Sequence, residues 1–553
     1  MKSAIGPWLV SFLLIAPVVG LTCYLHRPPE VVTAGATPSE FSAARAFEHL
    51  KVLAATPHPV GTPSHNDVRD YLVAALRNLG LQPEIQLAER KLRNGETIQL
   101  QNIVARLPGS EATGRAVLLV AHYDSVSQSP GASDDGSGVV TLLEVLRALK
   151  ARPPLKQDTL FLFSDGEELG LLGAKAFVDN PVMREVGFVM NFEARGSRGP
   201  VFMFETGDNN QWAIKQFGKV VPFPFANSIY EELYKLLPND TDFTVFKNRG
   251  LPGFNFAYID GVENYHSSND NLGTIDLKSI QHQGSYGLAL ASHFGQSDLN
   301  QHTNGNAVFF DGLGRLFVSY PEAFVRPIAL VLTLLLVGVV ILGLKRRRLS
   351  LAWSAVGLLV FLISAAVSLF LTTLIAGGLN LVIHQSTMRQ EIVPLLLGVV
   401  AINVALIIGL YHTGARYCSF DNLSAGTLIG WLLCTLAVSI YVPGASYIFQ
   451  WSLLGGIVAF AVNLSFSSSR TNWLLPIISS CLGAAPGLVL FIWTGEGILQ
   501  GVGLRWPFLI SLSVVFLVGL LLPPLEFLGK PRVWPVPLVF VLVSFVSFVV
   551  ALT

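Results

Sequence analysis

Five side chains in the first half of the sequence are of the types that hold a transition metal: His122, Asp134, Glu168, Glu193 and His266. Where thiolates are absent, zinc takes imidazole nitrogen and carboxylate oxygen, and a catalytic site leaves one position for water. Their neighbours sharpen the reading. His122-Tyr-Asp124 sets a carboxylate where it can hydrogen-bond the histidine ring and fix its tautomer. Gly131-Ala-Ser-Asp134-Asp-Gly-Ser-Gly138 is a flexible loop leading into a helical run, suited to pushing one carboxylate between two cations. Glu167 and Glu168 are adjacent and would repel each other in an ordinary turn. Beside metal ions one can be a ligand and the other a proton carrier. The chemistry open to this set is metal-assisted hydrolysis.

Short apolar runs position these groups. Ala116–Ala121 delivers His122, Thr159–Ser164 delivers Asp165-Gly-Glu167-Glu168, and Gly187–Phe192 delivers Glu193. Buried strands that release polar residues at their carboxyl ends are how open α/β sheets build active sites. Helical spacing marks Phe41–Leu53, Asn66–Leu79 and Gly138–Leu149, and strand-like and helical runs alternate up to about Ser297. The fold expected is α/β, a mixed, largely parallel central sheet flanked by helices. Two strand-like patches around Asp311-Gly-Leu-Gly314 read as a hairpin.

Composition divides the chain. Apolar residues make up 51% and charged residues 13%, the balance of a protein partly embedded in a membrane. From Arg326 onward there are 11 Lys/Arg and 4 Asp/Glu, and residues 1–26 hold only Lys2. Of the 37 charges of each sign, 25 basic and 33 acidic therefore fall in residues 27–325. A mildly acidic domain argues against nucleic acid as a partner. Cys23, Cys418, Cys434 and Cys481 lie in or beside the apolar segments, so the middle domain has neither a disulfide framework nor a thiol nucleophile.

Residues 4–25 are long enough to span a bilayer and read as an uncleaved anchor. Eight further apolar spans fall near 327–344, 351–376, 392–412, 424–443, 447–465, 474–493, 507–523 and 535–552, nine in all. The organisation expected is an anchor (1–26), a linker (27–39), a catalytic domain (40–300), a connector (301–325) and an all-α multi-span transmembrane domain (326–553), which is also a candidate surface for homo-oligomerisation. With the N-terminus in the cytoplasm, the cytoplasmic loops carry Lys345-Arg-Arg-Arg348, Arg416, Arg470, Lys530 and Arg532, against Arg326, Arg389 and Arg505 outside. Eight basic residues against three follow the positive-inside rule and put the catalytic domain outside the cytoplasm. Charges deep in the spans are almost absent, which weighs against an ion-coupled transporter. His384, Glu391 and Glu496 stand at span ends.

On these motifs the sequence resembles the di-zinc exopeptidase family that includes aminopeptidase Y, glutamate carboxypeptidase and the catalytically silent transferrin receptor. The matching stretches are His122-Tyr-Asp-Ser125, Gly131–Gly138, Asp165-Gly-Glu-Glu-Leu-Gly-Leu-Leu-Gly173 and Tyr265-His-Ser267, with Pro57-His-Pro-Val-Gly61 and Asn66-Asp-Val-Arg-Asp-Tyr71 upstream. Asn191-Phe-Glu-Ala194, Asn239-Asp-Thr-Asp-Phe243 and the multi-span C-terminal half are most similar to its membrane branch, the vacuolar membrane protease and endoplasmic-reticulum metallopeptidase. Short loops between spans fit a bacterial homologue.

The resemblance implies two zinc ions and a peptide substrate. His122 and Glu193 would hold one ion, Glu168 and His266 the other, and Asp134 would bridge them. Glu167 would be the general base and Asp124 would orient His122. Glu193 stands where many members carry aspartate. Substrate contacts are expected from Glu205, to a free α-amino group, or from Arg195 and Arg198, to a terminal carboxylate. Asp240 and Asp242 are placed to line the cleft, and Tyr265 to steady the oxyanion. His58, His65, His282 and His293 lack partners by spacing and read as structural. Aminopeptidase action is the favoured reading; the alternatives are a silent scaffold on a peptidase fold and a glutaminyl-cyclase-like acyltransferase. The complete donor set with Glu167 beside it disfavours both.

Overall fold

The computed structural model describes residues 5–92, 95–111, 114–301, 304–382, 392–466, 473–502, 507–522, 539–544 and 546–547. The chain divides into two compact units, His26–Glu322 and a second made of Met1–Leu25 with Ala323–Thr553.

The first unit is built on strands β1 (Glu84–Lys91), β2 (Thr97–Leu107), β3 (Ala116–His122), β4 (Asp158–Ser164), β5 (Val186–Ala194), β6 (Arg198–Thr206) and β7 (Gly253–Asp260). They form one sheet in the order β1-β2-β4-β3-β5-β7-β6. Its centre, β4-β3-β5-β7, is parallel, and β1, β2 and β6 join antiparallel at the edges. This is the mixed, largely parallel sheet flanked by helices that the sequence predicts. Every residue of β3 and β5 is buried, which explains their unbroken apolar runs. Alternate residues still face opposite layers: Val117, Leu119 and Ala121 join one core, and Ala116, Leu118 and Val120 the other.

The first core is closed by α2 (Ala43–Leu53), α3 (Pro63–Asn78), α4 (Gly136–Lys150), α6 (Gln211–Val220) and α9 (Leu277–Phe294), the second by α5 (Leu172–Phe177) and α8 (Asp242–Lys247). Between α6 and α8 lies α7 (Ser228–Tyr234). The expected hairpin is present as β8 (Ala307–Gly312) and β9 (Leu316–Pro321). It packs within the α/β unit: Phe317 lies 5.3 Å from Phe217 between ring centroids, and Ser228 bonds both the N–H and the carbonyl of Phe309.

The second unit is all helical: α1 (Ile5–Leu25), α10 (Val325–Lys345), α11 (Leu351–Val382), α12 (Ile392–Gly414), α13 (Phe420–Tyr441), α14 (Ser446–Phe466), α15 (Leu474–Val502) and α16 (Pro507–Leu520). Among the described residues six helical stretches are long and apolar enough to cross a membrane: Glu322–Lys345, Leu351–Leu379, Pro394–Gly414, Phe420–Tyr441, Pro443–Phe466 and Leu474–Gly495. Leu9–Leu25 and Phe508–Leu520 are shorter apolar helices. The sequence-derived span at 535–552 falls largely outside the described residues, as do His384, Arg389, Glu391, Arg470, Arg505, Lys530 and Arg532. Part of the basic block after α10 is structural. Arg348 pairs with Asp421 at 2.9 Å and donates to the Asn463 carbonyl, while Arg346 donates to those of Leu464 and Ser465. Two cations thus satisfy the last carbonyls of α14.

Candidate metal centre

The chain leaves β3 for β4 on one side of it and returns through β5 on the other. Such a reversal opens a crevice outside the carboxyl ends of the two strands. His122 is the last residue of β3 and Glu193 the penultimate residue of β5, so both stand at that crevice.

The other groups arrive on tight turns. Asp134 sits just ahead of α4 in a loop with its amides engaged. Asp270 accepts from the N–H groups of Ser133 (2.7 Å) and Asp134 (3.1 Å). Asp135 caps α4 through the Gly138 N–H and also accepts from the His122 N–H. Gly131 makes the bend possible: its φ is +66°, and a Cβ there would lie 2.7 Å from the Asp134 carbonyl. Glu167 and Glu168 lie on the turn after β4, and both of their N–H groups donate to the Asp124 carboxylate, at 3.0 and 3.2 Å. The same turn is anchored by buried Asp165, which accepts from His65 Nε2 (2.8 Å) and the Gln101 N–H (2.7 Å). His266 follows β7 at φ 53°, a left-handed conformation that costs a non-glycine residue on the order of 1 kcal/mol.

Together these elements bring the five predicted donors into one cluster. His122 Nε2 lies 3.2 Å from Asp134 Oδ1 and 3.7 Å from Glu193 Oε2. His266 Nε2 lies 3.1 Å from Asp134 Oδ2 and 3.0 Å from Glu168 Oε2. Asp134 therefore turns one oxygen to each histidine. Ligands at ordinary zinc distances in a tetrahedral shell sit about 3.3 Å apart, and the observed spacings bracket that value. Asp134 Oδ2, Glu168 Oε1 and His266 Nε2 are buried without a hydrogen-bond partner. Converging donor atoms of which three lack a hydrogen-bond partner fit a metal between them. Compatible triads include His122 with Asp134 and Glu168, and His122 with Asp135 and Glu193. In the second triad Asp135 is occupied by two backbone amides, so Asp134 is the better donor.

The His122 tautomer follows from its surroundings. Nδ1 lies 3.0 Å from the Asp124 carbonyl and 3.4 Å from its carboxylate, so this nitrogen carries the proton and Nε2 is left to bind. Asp124 thus acts twice, its carbonyl on the ring and its carboxylate on the Glu167–Glu168 turn. Burial lowers the basicity of His122, but the carboxylates of Asp124 and Asp134 outweigh it and raise the imidazole well above its usual range. Burial, and then the charges of Asp242, Glu168 and Asp134, push the Glu167 carboxyl well above its usual range against the pull of His122. So many carboxylates in one dry crevice call for a cation. The cluster opens on the His266 side, where that side chain is 34% exposed while the four other donors stay below 10%.

The remaining predicted residues have distinct surroundings. Tyr265 stacks on His266, 3.8 Å between centroids, with the Arg195 guanidinium 5.8 Å over its ring. Arg198, exposed at the start of β6, pairs with Glu263 at 3.7 Å. Asp242 is buried at the start of α8, accepts from the Ser164 hydroxyl, and its charge acts on Glu167. Asp240 is exposed. Glu205 lies within β6, its oxygens engaged by Lys247 (3.2 Å) and Asn255 (3.0 Å). His58, His65, His282 and His293 all have structural partners. Sequence reading missed Asp270 and Tyr234. The Tyr234 hydroxyl is buried without a hydrogen-bond partner, and burial with Glu205, Glu193, Asp240 and Glu167 pushes its phenol above the usual range. No spacing signal marks either residue.

Residues 102–291 match the model of Peptidase family M28, so the α/β unit carries a Peptidase family M28 domain. Among curated proteins the chain is similar to the vacuolar membrane protease of Candida dubliniensis, 33% identical over 288 residues, covering 50% of this chain and 31% of that protein. It is similar also to endoplasmic reticulum metallopeptidase 1 of Rattus norvegicus, 33% identical over 259 residues, 45% of this chain and 28% of that one. The chain thus spans about a third of the length of these relatives. Among solved structures it is similar to a Zn-dependent exopeptidase from Parabacteroides distasonis, at 20% identity and TM-score 0.38, covering 46% of this chain and 99% of that one. A Porphyromonas gingivalis glutaminyl cyclase matches at 24% identity and TM-score 0.39, covering 45% and 96%.

Proposed function

We propose that the α/β unit is a membrane-anchored zinc exopeptidase. The observation that carries this reading is the convergence of His122, Asp134, Glu168, Glu193 and His266, their donor atoms spaced as ligands and three of them without a hydrogen-bond partner, with Glu167 beside them. In this reading His122 and Glu193 would hold one zinc ion and Glu168 and His266 a second, with Asp134 offering one oxygen to each side. Zinc so held would polarise the scissile carbonyl and lower the pKa of the attacking water. Glu167 takes the proton from that water and passes it to the leaving amine. Asp124 fixes the turn that carries Glu167 and holds His122 in the tautomer that leaves Nε2 free. The phenol of Tyr265, whose ring stacks on His266, is the group assigned to steady the oxyanion. The acidic balance of the unit favours a substrate that presents a free amino end, so amino-terminal trimming is the inferred direction. Arg195, whose Nε has no hydrogen-bond partner, is the group that would hold a terminal carboxylate instead.

Replacing Glu167 by Gln should lower peptide hydrolysis by about 10²–10⁴-fold while zinc per chain is unchanged. Chelator should abolish the wild-type activity, and zinc should restore it. A fully active variant would sink the assignment.

The basic residues around the spans support nine crossings with the N-terminus in the cytoplasm and residues 27–325 outside. Protease added to sealed membranes should then cut that segment only from the non-cytoplasmic side.

A further inference from the structure

Glu193 is held from behind by a chain of buried polar groups that leads away from the metal cluster. Asn191 precedes it by two residues on β5, on the same face of the strand, and lies opposite Asn255 in the β5–β7 register. Asn191 Nδ2 is 3.1 Å from Glu193 Oε1 and 3.1 Å from Asn255 Oδ1. Asn255 Nδ2 is 3.0 Å from Glu205 Oε2 and 2.7 Å from the Thr241 hydroxyl. Lys247 Nζ closes the chain 3.2 Å from Glu205 Oε1.

The direction of these bonds follows from donor chemistry. Glu205 as a carboxylate only accepts, so Asn255 must turn its NH2 toward it and its carbonyl toward Asn191. That carbonyl accepts only, so Asn191 must present its own NH2, whose second hydrogen then points at Glu193. The Asn191 carbonyl oxygen is buried without a partner, the sign of an amide whose orientation is imposed. Glu193 Oε1 is thereby occupied, and Oε2 is the oxygen turned to His122, at 3.7 Å.

We propose that Glu205 is a positioning residue for the metal centre: through Asn255 and Asn191 it turns the Glu193 carboxylate so that a single oxygen faces the metal beside His122. Lys247 pairs with the buried Glu205 carboxylate and fixes its orientation from the far side. The inference rests on the zinc reading of the site and assigns Glu205 to the protein's own architecture, not to the substrate.

The test uses the full chain in detergent and zinc alone as probe, read by zinc retained across a chelator series and by the visible spectrum of the cobalt-substituted protein. Asn255→Leu should shift the half-loss point for one of the two metals by about 10–100-fold toward lower chelator, and should weaken the cobalt bands as Glu193 swings to offer both oxygens. Glu205→Gln leaves a single acceptor oxygen for Lys247 and Asn255 to share, frees the Asn255 amide to turn over, and should shift the half-loss point the same way by a smaller factor. If Asn255→Leu fails to fold, Glu205→Leu combined with Lys247→Met removes the orienting charge and its partner together, a replacement that buried ion pairs often tolerate. The double variant should show the same shift. Wild-type retention and spectra in these variants would overturn the inference alone. A wild-type chain that binds no zinc would overturn the zinc reading and this inference with it.

Discussion

The interiors of the two units treat polar groups in opposite ways. In the α/β unit the buried polar side chains include His122, Asp124, Asp134, Asp135, Asp165, Glu193, Glu205 and Asp270, ionisable groups gathered near the carboxyl edge of one sheet. Among the described residues of the helical unit, the buried polar side chains are all neutral, such as Ser364, Thr372, Asn403, Thr427, Gln450 and Asn463. Many of these bond to a carbonyl one turn back or to a facing helix, as Ser364 does to Val360 and Asn403 to Thr372. Burying charge is far costlier than burying an amide or hydroxyl. A fold that concentrates charge in one crevice is therefore holding it for chemistry. Neutral polar groups spread through a bundle serve packing between helices.

That contrast can be broken from either side. At neutral pH the largest stability effect is expected where helical backbones touch: a Cβ on Gly455 would lie 2.1 Å from the Gly483 carbonyl. Gly455→Val should cost about 3 kcal/mol in detergent unfolding, with zinc content unchanged, whereas loss of zinc would join the two interiors into one cooperative system. The next effect belongs to the charged interior and to acid. Burial lowers the His282 pKa to about 3, although its bond to the Phe223 carbonyl raises it. The unfolded chain, with an ordinary histidine, then binds the extra proton between about pH 6.5 and 3, so stability falls as pH drops through that window. The slope contributed is about 1.4 kcal/mol per pH unit. His282→Gln keeps an acceptor for the Val201 N–H and a donor for Phe223, and should flatten the acid limb of a thermal-shift profile while leaving the neutral limb in place. An unchanged acid limb would exclude His282 as a contributor. The smallest effect tests the neutral side. Asn403→Leu should cost only about 0.6 kcal/mol in the same unfolding assay; a loss several times larger would mean that this amide does more than join two helices.

Much of the site was legible before any coordinates, for a physical reason. The donors sit at the ends of strands buried on both faces, and such strands write themselves as unbroken apolar runs with the functional residue just past the last one. His122 after Ala116–Ala121 and Glu193 after Gly187–Phe192 are of this kind. The paired Glu167 and Glu168 stand out because like charges side by side need a reason. The antiparallel edges β1 and β2 left no such mark, since polar residues break up their apolar ones. The relay from Glu193 to Lys247 was out of reach because it depends on the β5–β7 register, and Asn191 and Asn255 are 64 residues apart. Glu205 read as a substrate contact for the same reason: its partners are set by pairing, not by spacing. Asp270 is equally silent, a loop acid whose importance comes from two amides more than a hundred residues earlier.

The loop that carries Asp134 has a further consequence. The N–H groups of Ser133, Asp134, Gly136, Ser137 and Gly138 are all taken, by Asp270, Asp135 or nearby carbonyls. The carboxylate between the two histidines is therefore mounted on a stretch with no slack, its backbone held by the fold's own hydrogen bonds. Loading such a seat requires only that an ion arrive and shed its water. The rate at which newly made chains mature should then follow the supply of free zinc, with no slow rearrangement of the backbone behind it.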